Sequence, residues 1–308
     1  MSMKNSETAP PQYLRDLLEN AMGKRSISWT VPDCGLSSAL RFSVQLENNL
    51  SVFVKAATDE QTEQWLRNEH LVLSRRERKF MPHIIGWLDQ PGIRPVLIMD
   101  DLSKAYWPAS HAGVTWRKGD FDKLFDGLKE LSSFKTELTV REMKNQRTSI
   151  WSEIANYPTT FVSLRLCSEQ WLKNSTGALI EAERKFDVTG DRLVHGDVRS
   201  DNICFVDSQI IFVDWSHAAR GNGLHDLATL LPTLYLEGGP DPYQIMPDGG
   251  SEASLGCAML IRRLVEDHSM PQWLKNVFKK LIAIKLEWAA NCLGLDKPDG
   301  MQWRTIDH

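Results

Sequence analysis

The stretch LVHGDVRSDNICFVDSQIIFVDWSHA, residues 193–218, constrains this chain more than any other. Two short apolar runs, ICFV and IIFV, flank the polar residues DSQ and read as the strands of a hairpin. Centring the turn on Ser208 pairs Val206 with Ile210, Phe205 with Ile211, and Asn202 with Asp214. Directly opposed residues carry Cβ atoms about 5 Å apart. The open mouth would then offer an amide oxygen and a carboxylate at one point, with Asp197 five positions before Asn202. Hard cations such as Mg²⁺ take oxygen ligands, commonly one or two carboxylates together with phosphates and water. A surface hairpin using Asp and Asn only as turn and cap residues explains neither His195 nor the apolar approach to Asp214.

The order HxDxxxxN, a strand turn, then an aspartate after an apolar strand matches the catalytic loop and metal aspartate of kinases. Protein kinases spell these HRD and DFG. HGDVRSDN followed by FVDW resembles instead the aminoglycoside phosphotransferase and choline kinase-like family. That resemblance implies an α+β, two-lobed protein-kinase-like fold over roughly residues 27 to 290, with a small β-rich N-terminal lobe and a large, mainly helical C-terminal lobe. It implies an enzyme, a small-molecule kinase that passes the γ-phosphoryl group of ATP or GTP to a hydroxyl, with Mg²⁺ as cofactor. In that scheme Asp197 orients the acceptor hydroxyl and takes its proton, and Asn202 and Asp214 hold the metal. Arg199 is placed to stabilise the transferring phosphoryl group, an exposed salt bridge being its alternative reading. His195 is structural, and Asp226 in GLHDLATLL resembles the family's brace for the same loop, with a helix N-cap as the plain alternative.

A nucleotide site of this kind needs a buried lysine, a helix glutamate to hold it, and a hinge for the base. In VFVKAA, Val52 and Val54 point one way and Phe53 and Lys55 the other. In the following helix Trp65, Leu66, Val72 and Leu73 form an apolar stripe that contains Glu69. A carboxylate on a buried face needs a cation, and Lys55 is the natural partner. PVLIMDDL resembles the family's hinge: Met99 would sit behind the base, and Asp100 to Leu102 would present backbone groups to it. DCGLSSALRFSV resembles the phosphate-covering loop, with Ser37 and Ser38, although it holds a single glycine. No GxxxxGK[ST] motif exists, so a P-loop enzyme is excluded.

The rest of the chain reads around this core. A short helix is expected over 11–22, strands over 27–57 with a tight turn at Asn48-Asn49, a helix from about Asp59 to Lys79, and a strand ending in PVLIMDD. A mostly helical part follows, broken by the 237–250 loop. The division expected is residues 1–101 for nucleotide binding and 102–308 for catalysis and acceptor binding. A net charge of −4 argues against a general nucleic-acid binder. Five scattered cysteines without a CxxC pair argue against structural zinc and disulfides and for a reducing cytoplasm. The polar N-terminus and the lack of an 18-residue apolar run predict neither a signal peptide nor a membrane span.

The acceptor is expected to meet the 235–250 loop and the helices from 255 to 293. Acidic residues there (Glu237, Asp241, Asp248, Glu287) would suit an aminoglycoside, the favoured class. The aromatics Tyr235, Tyr243, Trp273 and Trp288 would suit choline. Choline, homoserine, sugar and macrolide kinases are the alternatives. A catalytically silent kinase fold is the rival from another class, disfavoured because Lys55, Glu69, Asp197, Asn202 and Asp214 are all present.

Overall fold

The computed structural model describes residues 6–7, 9–32, 38–75, 79–110, 112–137, 141–145 and 148–306. The chain divides into two compact units, residues 1–141 with 195–220, and residues 142–194 with 221–308.

The first unit is built on an antiparallel sheet. Its strands are β1 (Ser6–Glu7), β2 (Ser26–Val31), β3 (Leu40–Leu46), β4 (Ser51–Ala56), β5 (Ile84–Leu88) and β6 (Val96–Asp100), in the spatial order β1-β2-β3-β4-β6-β5. Asn49, at φ 64°, makes the expected turn between β3 and β4. One face of the sheet buries Trp29, Phe42, Val44, Val52, Val54 and Ile98 against Leu14 and Leu18 of helix α1 (Gln12–Met22). Side chains alternate along a strand, so Phe53 and Lys55 are left on the other face.

Helix α2 (Glu60–Leu73) starts at a capping box, in which Asp59 accepts from the Thr62 backbone N–H and the Thr62 hydroxyl returns a bond to the cap. It ends at Leu73, six residues short of the sequence expectation. Leu73 is the last apolar residue of the stripe, and the polar run after it has nothing to bury. Residues 76–78 lie outside the described residues.

The 203–212 hairpin corrects the expected register by one residue. Ile203 pairs with Phe212 and Val206 with Gln209, which leaves Asp207 and Ser208 as a two-residue turn. Asp207 takes a left-handed backbone, φ 54°, which a short polar side chain tolerates and which matches the twist of a tight hairpin. Asn202 therefore faces Val213, whose N–H donates to the Asn202 carbonyl at 3.0 Å, and not Asp214. The hairpin packs on helix α3 (Asp120–Ser133) at Gly127, where a Cβ would fall 2.7 Å from Ile210 Cγ2. The Phe80 ring meets Phe212 edge-on and lies tilted beside Trp215, with centroids 6.1 and 6.2 Å apart.

The second unit is helical: α4 (Ile150–Asn156), α5 (Thr159–Val162), α6 (Glu169–Lys185), α7 (His225–Leu236), α8 (Pro242–Ile245), α9 (Gly250–Glu266) and α10 (Gln272–Leu293). Buried Glu183 of α6 accepts from the Ile150 and Trp151 N–H groups at 2.8 and 3.2 Å, and from the Ser149 hydroxyl. A carboxylate placed there satisfies the first turn of α4 and its dipole. The expected 237–250 loop is partly ordered as α8, which Asp241 caps through the Tyr243 N–H. Among the described residues Cys167, Cys204, Cys257 and Cys292 are free thiols. No described helix is long and apolar enough to cross a membrane.

Candidate active site

Strand β4 and helix α2 place Lys55 and Glu69 in one ion pair. Lys55 Nζ lies 2.7 Å from Glu69 Oε2 and 2.8 Å from Asp214 Oδ1. Lys55 is 6% exposed and Glu69 1%. Burial works against the Lys55 charge, but the Glu69 and Asp214 carboxylates outweigh it and hold the ammonium above the ordinary lysine value. Burial alone would raise the Asp214 pKa; Lys55 and the Ser216 hydroxyl, 2.7 Å from Oδ1, hold it below the ordinary carboxylate range. Asp214 follows the hairpin in a left-handed backbone, φ 62°, at the head of a 3₁₀ turn over 215–217.

The loop from 195 to 202 carries the second acid. His195 is fully buried, donates from Nε2 to the Val213 carbonyl at 3.0 Å, and accepts the Asp197 N–H on Nδ1 at 3.3 Å. Burial lowers its pKa to about 4, so it is a neutral brace between the hairpin and the loop, as the sequence reading has it. Gly196 stands at φ 80° with the His217 carbonyl oxygen 2.6 Å from where a Cβ would be. Asn202 turns its amide N–H₂ toward Asp197, donating to the main-chain oxygen at 2.8 Å and to Oδ2 at 3.0 Å. Burial pushes the Asp197 carboxyl up, and the Arg199 charge pulls against it. Arg199 forks onto Asp201 through Nε and Nη2 at 3.0 and 2.8 Å, and lies 3.7 Å from Asp197 Oδ1. Its partner in this structure is thus the salt bridge given as the alternative reading.

The nucleotide-side residues are less gathered. Met99 is buried on β6, beside Phe53 of β4. The Asp100 N–H donates to the His83 carbonyl at 3.1 Å, and its carboxylate binds His83 Nδ1 at 2.7 Å. The Leu102 carbonyl accepts from the Ala105 N–H and from Trp107 Nε1, both at 3.0 Å. The Ser38 hydroxyl donates to the Asp59 cap of α2 at 2.6 Å, and Ser37 lies outside the described residues. In the second unit Asp226 is buried in the first turn of α7, one residue inside the helix start, so it is not the N-cap. Trp288 is core, its Nε1 donating to the Met246 carbonyl, while Trp273 and Tyr243 are exposed.

Sequence reading missed four contributors: Trp65, Asn68, Asp201 and Ser216. Trp65 was read only as part of the apolar stripe; it meets the His217 ring edge-on, 5.4 Å between centroids. Asn68 donates to the Ser216 and Ala218 carbonyls, both at 3.0 Å. The one signal for Asn68 was its place beside Glu69 at the edge of that stripe.

The residues present fit a hard divalent cation. With its N–H₂ committed to Asp197, the Asn202 amide has its oxygen left to coordinate, and Asp214 is kept ionised by Lys55. Among the described residues no group of three or more His, Cys, Asp or Glu side chains gathers to hold a metal alone. A site of one carboxylate and one amide must complete its shell with water and phosphate oxygens.

Residues 121–257, which include this loop and hairpin, match the model of the phosphotransferase enzyme family (APH). The match spans 137 of the 308 residues, and within it the loop and hairpin resemble that family. No curated protein matches the chain. Among solved structures, spectinomycin phosphotransferase in complex with ADP and spectinomycin is similar at TM-score 0.56 and 12% identity, over 92% of this chain and 99% of that one. A macrolide 2'-phosphotransferase from Brachybacterium faecium gives TM-score 0.56 and 11% identity over 88% and 98%. A choline/ethanolamine kinase family protein from Mesorhizobium loti gives 0.52 and 11% over 86% and 91%. At such identities the likeness concerns the fold, the α+β protein-kinase-like fold of small-molecule phosphotransferases.

Proposed function

We propose that the chain transfers the γ-phosphoryl group of ATP or GTP to a hydroxyl of a small molecule. The observation that carries this reading is Lys55, whose one ammonium meets both the α2 carboxylate Glu69 and the hairpin carboxylate Asp214. A lysine so held can clamp nucleotide phosphates, and its glutamate keeps it aimed. Asn202 and Asp214 would hold Mg²⁺, which when bound neutralises phosphate charge. Asp197, fixed by Asn202 and by the His195 brace, orients the acceptor hydroxyl and receives its proton. Its raised pKa makes it a better base than a solvated aspartate. Arg199 is positioned to exchange Asp201 for the transferring phosphoryl group. Met99, Asp100 and Leu102 would border the base, and Ser37 and Ser38 the phosphates.

The division into a nucleotide lobe to residue 101 and a catalytic and acceptor lobe beyond it belongs to the same proposal. The acceptor class we favour is aminoglycoside-like, with choline, homoserine, sugars and macrolides as alternatives. Relatives of the same fold that are named for spectinomycin and macrolides support a polyhydroxylated small molecule. A phosphotransfer screen with Mg²⁺ and either ATP or GTP, across these acceptor classes, tests the reading. Acceptor-dependent ADP or GDP release that Asp214→Ala abolishes is the expected result. Release unchanged in that variant contradicts the metal assignment.

A further inference from the structure

Asp214 heads the 3₁₀ turn over 215–217. It is a non-glycine residue in the left-handed region, a conformation that persists only where surrounding contacts over-determine it. Those contacts come from one face of α2, from residues three and four apart. Trp65 packs on His217, Glu69 Oε1 accepts the Trp215 N–H at 3.3 Å, and Asn68 spends both N–H groups on the Ser216 and Ala218 carbonyls. Ser216 in turn donates its hydroxyl to Asp214 Oδ1. A path of two hydrogen bonds thus runs from Asn68 through Ser216 to the carboxylate. The residue that clamps the loop is the chain neighbour of the one that holds Lys55.

We infer that Asn68 is a positioning residue for the Asp214 carboxylate, fixing the 215–218 loop to α2 so that the metal-side oxygen is in place before nucleotide arrives. The inference rests on the proposed function and deepens it. The Asn68 amide carries two N–H donors on one nitrogen and so serves both carbonyls at once. Aspartate has the same shape and no donors, and it would turn oxygens toward both carbonyls. The Asn68 side chain takes no part in the Lys55–Glu69 pair, so loss of the clamp is separable from loss of the ion pair.

The test is titration of Mg²⁺ in the presence of AMP-PNP, with thermal stability measured alongside. Two lost hydrogen bonds beside the ligand should raise half-saturating Mg²⁺ in Asn68→Asp by about tenfold. kcat should fall while the acceptor KM is unchanged. Asn68→Ala, which removes the donors without adding charge, reads the same quantity should the aspartate variant not fold. Leu14→Ala, in the core between α1 and the far face of the sheet, is the control for destabilisation without loss of the clamp. Its Mg²⁺ requirement should match wild type. Half-saturating Mg²⁺ in both Asn68 variants within twofold of wild type, or an equal shift in Leu14→Ala, overturns the inference. Failure of wild type itself to bind Mg²⁺ with AMP-PNP instead removes the functional reading, and this inference with it.

Discussion

Lys55 and Asp214 stand 159 positions apart in the chain and 2.8 Å apart in space. Glu69, on the other side of the same ammonium, is buried almost completely. The three groups form an uneven set: two carboxylates share one cation, and Asp214, with side-chain exposure of 32%, is the member open to exchange. Under the proposed function an incoming phosphate would compete with Asp214 Oδ1 for Lys55, while Glu69 keeps its hold.

Removing that cation should strand Glu69. Lys55→Met is expected to destabilise the fold by about 3–5 kcal/mol, the usual cost of leaving one buried charge unpaired. Lys55→Met with Glu69→Leu should recover most of that stability, because well-packed apolar residues often replace a buried pair at little cost. Nucleotide binding should stay lost in both. Urea denaturation and AMP-PNP titration separate the two effects, and a double variant that binds nucleotide normally would refute the role given to Lys55.

Asp197→Asn should lower kcat by about 10²–10⁴, the range for loss of a general base. The main-chain bond from Asn202 to residue 197 survives the change, so nucleotide affinity is expected to hold within a few-fold. Single-turnover rates beside AMP-PNP binding check this. If affinity collapses with rate, Asp197 belongs to the nucleotide and not to the acceptor.

These residues differ in how far the sequence discloses them. Lys55 and Glu69 are legible because strand alternation and a helical stripe are local patterns, and a charge inside each pattern stands out. The hairpin was legible as a hairpin, but its register was not, because one residue, Asp207, decides between a turn centred on Ser208 and a two-residue turn. Arg199 had two readings, and the choice lay with Asp201, two residues on, whose side-chain direction no periodicity fixes. Asn68 was hidden for a different reason. Its partners are carbonyls of residues 216 and 218, and backbone acceptors leave no mark in a sequence. The end of α2 was overestimated because a polar run looks equally like a solvated helix and like a loop.

Gly196 should tolerate no side chain. Its φ of 80° and the His217 carbonyl oxygen 2.6 Å from the Cβ position combine strain with a backbone clash. Gly196→Ala is expected to cost about 1–3 kcal/mol and to move Asp197, its neighbour, with it. Thermal denaturation and kcat should fall together. Wild-type values for both would mean the loop relaxes freely, which contradicts a braced catalytic loop.

The brace should also shape the acid side of the stability profile. In the unfolded chain His195 takes up a proton near pH 6.5, whereas burial in the fold delays protonation to about pH 4. Between those values the unfolded state binds the extra proton, so folding stability is full above about pH 6.5 and declines as pH falls toward 4. Each pH unit of that window is worth about 1.4 kcal/mol per proton. Asp214 is depressed as well, but its contribution is lost only at more acid pH, below the ordinary carboxylate range. His195→Gln keeps an N–H donor for the Val213 carbonyl and does not titrate. Urea denaturation at pH 7.5, 6.0, 5.0 and 4.5 should therefore show a shallower decline in that variant by about one proton's slope. His225, also lowered to about 4 by burial, and the shifted groups His70, Asp197, Glu69 and Glu252 remain in both proteins and contribute the residual slope. Equal slopes in wild type and variant would mean His195 is protonated in the fold, and the neutral brace between Val213 and Asp197 would have to be abandoned.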